Sequence, residues 1–111
     1  MPITRVSYGY SGCITNHKQQ LQAQEYIKDG VEVFILSSRD DITPLELTAD
    51  LLGVSHDNIF ATGDVDVKIQ KIIDLKTDIH YDTNPYVLDG VGNIGEEVIP
   101  AEMKTLDVKY I

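Results

Sequence analysis

The chain is short of positive charge. Lys and Arg number 9 against 18 Asp and Glu in 111 residues, a formal net charge of -9. A surface of that sign repels phosphate backbones and anionic headgroups, which argues against nucleic-acid binding and against electrostatic attachment to membranes. It suits solubility, metal ions or a basic protein partner. Tryptophan is absent, and the 6 tyrosines are scattered rather than set in a basic, aromatic-interleaved patch, so no platform for stacking bases is expected. Cys13 is the single cysteine. That rules out an internal disulfide and a cysteine-based zinc set, and points to an intracellular setting. No stretch approaches the ~20 apolar residues that span a bilayer. The N-terminus lacks a charged region followed by an apolar run, so no signal peptide is expected. Also missing are the phosphate-binding G-x-x-x-x-G-K-S/T loop, the H-E-x-x-H zinc helix and the G-x-S-x-G nucleophile elbow.

What is present is an ordinary globular composition, 42% hydrophobic and 24% charged, read as one domain over residues 1–111. The pattern alternates strand and helix, which predicts an α/β fold with a small parallel sheet in a three-layer, Rossmann-like arrangement. A first strand is expected at 3–8 and a Gly/Ser loop at 9–16. A helix follows at about 17–29, with Leu21, Ala23, Tyr26 and Ile27 as its apolar positions and Gly30 as its stop. Val31 to Leu36 is a nearly unbroken apolar run, as in a buried central strand. Thr43-Pro44-Leu45-Glu46 reads as a capped helix start, with Thr43 as cap, Pro44 in the first turn and Glu46 completing a capping box. Asn58 to Ala61 is a short third strand. Asp64 or Asp66 opens a helix whose Val65, Ile69, Ile72 and Ile73 recur at helical spacing. Ile79 to Tyr81 is a fourth strand, and Tyr86 to Leu88 a helical turn. Glu97 to Ile99 is a candidate fifth strand, and the region 93–111 reads as either an edge strand or a docking arm.

In open parallel sheets chemistry gathers at the carboxyl ends of the strands. The first strand ends in Gly9-Tyr10-Ser11-Gly12-Cys13-Ile14-Thr15, the second in Ser37-Ser38-Arg39 and the fourth in His80-Tyr81-Asp82-Thr83-Asn84. Lys68 lies in the first turns of the helix before the fourth strand. In this order and context the segments resemble the haloacid dehalogenase (HAD) phosphohydrolase superfamily, over roughly residues 3–92. The resemblance implies a nucleophilic Asp and a general acid/base Asp at the first strand end, and this sequence has Gly9 and Ser11 there. Glycine offers no side chain, and the serine hydroxyl has no useful pKa for general acid/base work. It further implies that Ser37, or its neighbour Ser38, hydrogen-bonds a transferred phosphoryl group and that Lys68 neutralises its charge. A strand-end serine also serves as an ordinary turn former, and a lysine on an amphipathic helix is commonly just exposed. Asp82 is left from a pair that in the family holds Mg²⁺ with the first-strand Asp; alone it makes a poor site. Arg39 with Asp40 and Asp41 reads as a solvated loop unless an anion lies nearby. Lys71 is a weaker second choice to Lys68, His17 and His80 read as isolated, and Cys13 has no adjacent group to activate it.

The resemblance therefore implies a HAD-like fold without catalytic residues, a pseudoenzyme with no cofactor, or Mg²⁺ only if a residual site survives. Compact capless proteins of this length resemble short phosphatase-like proteins often encoded by bacteriophages, which implies a virion or assembly component, or otherwise a cytoplasmic protein. Three functions follow as expectations: a structural or protein-binding module with a protein partner, a homo-oligomer or a larger assembly; a residual phosphate or nucleotide binder using Ser37 and Lys68; and a weak phosphatase. Reintroducing Asp at positions 9 and 11 together is expected to restore metal binding without full activity.

Overall fold

The computed structural model describes residues 2–100. Among them are five strands, β1 (Arg5–Gly9), β2 (Glu32–Ser37), β3 (Ile59–Ala61), β4 (Ile79–Asp82) and β5 (Gly95–Glu97). They alternate with four helices, α1 (His17–Lys28), α2 (Thr43–Leu52), α3 (Val65–Leu75) and α4 (Pro85–Val91). The sheet order is β3-β2-β1-β4-β5, and every pairing is parallel. The expected α/β class is found, with β1 central and adjacent to β4.

Side-chain alternation along each strand builds the two faces. Val33 and Ile35 of β2 pack with Ala23 of α1 and with Leu45, Ala49 and Leu52 of α2. Their neighbours Phe34 and Leu36 point the other way, against Ile72 of α3 and Val87 of α4. Helices thus cover both faces of the sheet, giving three layers in a Rossmann-like arrangement. β1 and β4 follow the same parity, with Val6 paired to Ile79 and Tyr8 to Tyr81. These four residues belong to the α1/α2 side. The alternate positions, Ser7, Gly9, His80 and Asp82, face the α3/α4 side, so two adjacent strands bring a polar stripe into a buried layer.

Three local readings are corrected. Thr43 does not cap α2: Ile42 already has helical angles (φ -78°, ψ -19°) and no side-chain cap bond forms. The Asp41 carboxylate instead accepts from the Thr43 amide at 3.0 Å, so winding begins before Thr43. The last strand lies at Gly95–Glu97 rather than 97–99, although the Val98 amide still donates to the Asp82 carbonyl at 2.9 Å. Leu21 and Ile73, expected in the core, are 51% and 46% exposed. Of the region 93–111, residues 101–111 lie outside the described residues.

No helix among the described residues is long and apolar enough to cross a membrane.

Candidate functional site

Asp82 is the last residue of β4 and is buried. α3 brings Lys68 to it. Asp64 caps that helix, its Oδ1 accepting from the amides of Asp66 at 2.7 Å and Val67 at 3.1 Å. One turn later the Lys68 amide donates to the Asp64 carbonyl at 3.0 Å. Lys68 therefore projects from the first turns of α3 toward the sheet. Its Nζ lies 2.9 Å from Asp82 Oδ2, with side-chain exposures of 7% and 3%. This is a buried ion pair, not the exposed lysine that helix position alone allows.

His80, two residues before Asp82 and on the same face of β4, completes the arrangement. Its Nε2 lies 2.8 Å from Asp82 Oδ2, and its Nδ1 lies 2.7 Å from Ser7 Oγ. Ser7 Oγ in turn lies 3.1 Å from Thr77 Oγ1. An ionised carboxylate only accepts, so Nε2 carries the proton, Nδ1 accepts from the Ser7 hydroxyl, and Thr77 donates to Ser7. The Asn84 amide donates to Asp82 Oδ1 at 3.0 Å. Both carboxylate oxygens of Asp82 are thereby engaged by protein donors.

The electrostatics follow from that geometry. Burial opposes the charge of Asp82, but the His80 hydrogen bond and the Lys68 ammonium outweigh it and bring the carboxyl down to about 2. Burial also disfavours the imidazolium and lowers the pKa of His80, against a smaller upward pull from Asp82. Cys13 is inert: burial first, and then the Asp82 charge, push its thiol up, and its Sγ donates to the Tyr81 carbonyl at 3.3 Å.

Gly9 explains how Asp82 takes this position. A Cβ placed on Gly9 would lie 2.4 Å from Asp82 Oδ2 and 2.7 Å from its Cγ, inside the contact limit. The carboxylate from β4 occupies the space in front of β1 into which any first-strand side chain would project. Reintroducing Asp at position 9 therefore requires the Asp82 side chain to move. The donor set as it stands does not fit Mg²⁺. Gly9 supplies no ligand, Ser11 supplies a hydroxyl only, and Asp82 already accepts from Lys68, His80 and the Asn84 amide. Among the described residues, no group of three or more His, Cys, Asp or Glu comes together as metal ligands.

Over this ion pair lies a cleft of about 150 Å³ at the strand ends, whose lining includes Ser11, Ser37, Ser38, Arg39, Lys68 and Asp82. The residues singled out in sequence at three separate strand ends and on α3 thus converge. Ser37 is buried at the end of β2, where its Oγ accepts from the Arg39 amide at 3.1 Å, while Ser38 and Arg39 are exposed. Ser11 sits in the irregular turn Tyr10–Ile14, beside Gly12 in the left-handed region (φ 69°). The Thr83 hydroxyl donates to the Ser11 carbonyl at 3.2 Å, tying that turn to the end of β4. Lys71 is elsewhere, its Nζ 4.4 Å above the Phe60 ring, and His17 is exposed at the start of α1.

Sequence reading missed Ser7 and Thr77 and took His80 for an isolated residue, which is corrected here: His80 is bonded to both Ser7 and Asp82. The signal was the shared alternation of V-S-Y-G in β1 and I-H-Y-D in β4, which in parallel register puts Ser7 beside His80. Chemically, the site offers no free carboxylate and no accessible base. Ser7 has the partners of a catalytic serine but is fully buried. No protein-family model matches this sequence, and no curated protein matches it.

Proposed function

We propose that the chain is a HAD-like domain whose phosphoryl-transfer site has become a closed ion pair, and that it acts as a structural or protein-binding module. The observation that carries this is the position of Asp82, seated over Gly9 and held by Lys68, His80 and the Asn84 amide. A nucleophile must be free to attack phosphorus and a second group must protonate the leaving oxygen; here the one carboxylate is immobilised as an acceptor. Resemblance to short capless phage proteins supports a place in a virion or its assembly. The assay is hydrolysis of an aryl phosphate with Mg²⁺. The expected rate is that of the buffer blank, and turnover abolished by Asp82→Ala would overturn the reading.

A second reading is supported by Arg39. Among the described residues it has no carboxylate within ion-pair distance, and it shares the cleft with the hydroxyl residues Ser11, Ser37 and Ser38. With Lys68 neutralised by Asp82, the cleft keeps one net positive charge, enough to hold a small oxyanion without transforming it. Titration with inorganic phosphate, followed through the Ser38 and Arg39 amide signals, tests this. Saturable shifts lost in Arg39→Ala support it, and unmoved signals refute it.

A further inference from the structure

α2 has two faces with different fates. Leu45, Ala49 and Leu52 are buried in the core. Leu47 and Leu51 are 68% and 67% exposed. Four residues apart, they lie one above the other on the same side of the helix. An isolated exposed leucine is ordinary, but two in one stripe make an apolar strip left exposed among the described residues.

The sequence around the strip carries formal charge of one sign. Between Arg39 and Lys68 the sequence contains no Lys or Arg, yet seven of the 18 carboxylates fall in that interval. On α2 itself Glu46 and Asp50 accompany the leucines. His56 lies against that acidic side, its Nε2 2.7 Å from Asp50 Oδ1 and its Nδ1 3.8 Å from Glu46 Oε2. Five of the seven carboxylates, Asp40, Asp41, Glu46, Asp50 and Asp57, lie on α2 or in the loops that flank it, while Asp64 and Asp66 belong to the start of α3.

We propose that this face of α2 docks a basic amphipathic helix of a partner protein, apolar side chains seated on Leu47 and Leu51 and Lys or Arg reaching Glu46 and Asp50. The inference rests on the protein-binding reading above and names its surface and the chemistry of its partner. Charge complementarity selects the occupant. A second copy meeting the same face across a two-fold axis would set Glu46 and Asp50 against themselves, with a charge of -9 on each side, and like charges in juxtaposition are costly. An apolar helix carrying Lys and Arg satisfies both the strip and its rim, the mode by which helices dock through anchors at i and i+4.

The test uses the full chain and a synthetic helical peptide of Leu and Lys, followed by leucine-methyl NMR and fluorescence anisotropy. The Leu47 and Leu51 methyl signals move saturably. Leu47→Ser with Leu51→Ser weakens binding by about tenfold or more, as loss of two central anchors does, while the melting temperature of the free protein is unchanged. Replacing the peptide's lysines by glutamate abolishes binding. Binding indifferent to the double variant, shifts confined to another surface, equal binding of the glutamate peptide, or no binding at all would each overturn the proposal. So would a leucine-dependent dimer in sedimentation, or contacts from the chain's own Leu106 and Val108 to Leu47 in the free protein. Phosphatase turnover would sink the non-catalytic reading instead, a different measurement that leaves these outcomes separate.

Discussion

At the scale of single residues, Gly9 and Asp82 decide what this site is. Gly9 has an ordinary extended backbone (φ -66°, ψ 158°), so its need for glycine is not conformational. At such angles Gly→Ala usually stabilises by about 0.4–1 kcal/mol through the unfolded chain. Here the added methyl meets Asp82 Oδ2 at 2.4 Å and must drive the carboxylate off Lys68 and His80. Gly9→Ala is expected to destabilise by about 2–3 kcal/mol in urea unfolding, the range of overpacking with damage to a buried ion pair. A neutral or stabilising result would mean that Asp82 gives way at little cost. Of the residues in the cleft, Ser11, Ser37 and Asp82 were legible because they lie at the ends of strands of a parallel sheet, whereas Lys68 was singled out only through the family resemblance. Ser7 and His80 were not legible, because a polar residue inside a strand looks the same whether it faces solvent or a partner strand. Only the β1/β4 register shows that Ser7 and His80 meet.

At the scale of elements, α3 is the part that makes the site possible. It delivers a charged ammonium into a buried layer and so depends on a fixed start. Asp64 supplies that by accepting two amide hydrogen bonds. Asp64→Ala is expected to cost about 1 kcal/mol and to broaden the signals of Lys68 in NMR. An unchanged denaturation midpoint would contradict the role given to the cap. The elements themselves were readable: the apolar run of β2, the cap and spacing of α3 and the order of strands all fall close to where the pattern places them. The start of α2 was misread for a local reason, since Asp41 reaches the Thr43 amide first and leaves Thr43 inside the helix. β5 was displaced because Gly95-Glu96-Glu97 has no apolar alternation; it pairs with β4 in parallel register.

At the scale of the molecule, the buried network ties stability to pH. Folded His80 has a lowered pKa, so below the ordinary value near 6.5 the unfolded chain takes up a proton that the folded chain resists. Stability therefore falls as pH drops from about 6.5. Asp82 acts lower down: with its pKa brought from 3.8 to about 2, its contribution is present above 3.8 and is lost as pH falls toward 2. Both titrations weaken the fold in acid. Denaturant midpoints measured from pH 7 to pH 4 are expected to fall, and His80→Gln is expected to flatten the part between 6.5 and 5. An unaltered slope in that variant would assign the acid sensitivity elsewhere.

Lys68 and Asp82 form a buried pair, Nζ 2.9 Å from Oδ2, that serves the fold. The most direct measurement is a double-mutant cycle with Lys68→Met and Asp82→Asn, read as unfolding free energies at neutral pH. Each single variant leaves one buried charge without its partner, whereas the double variant leaves none. A coupling of about 2–3 kcal/mol is expected, with the double variant far more stable than the sum of the singles implies. Additive losses would contradict it.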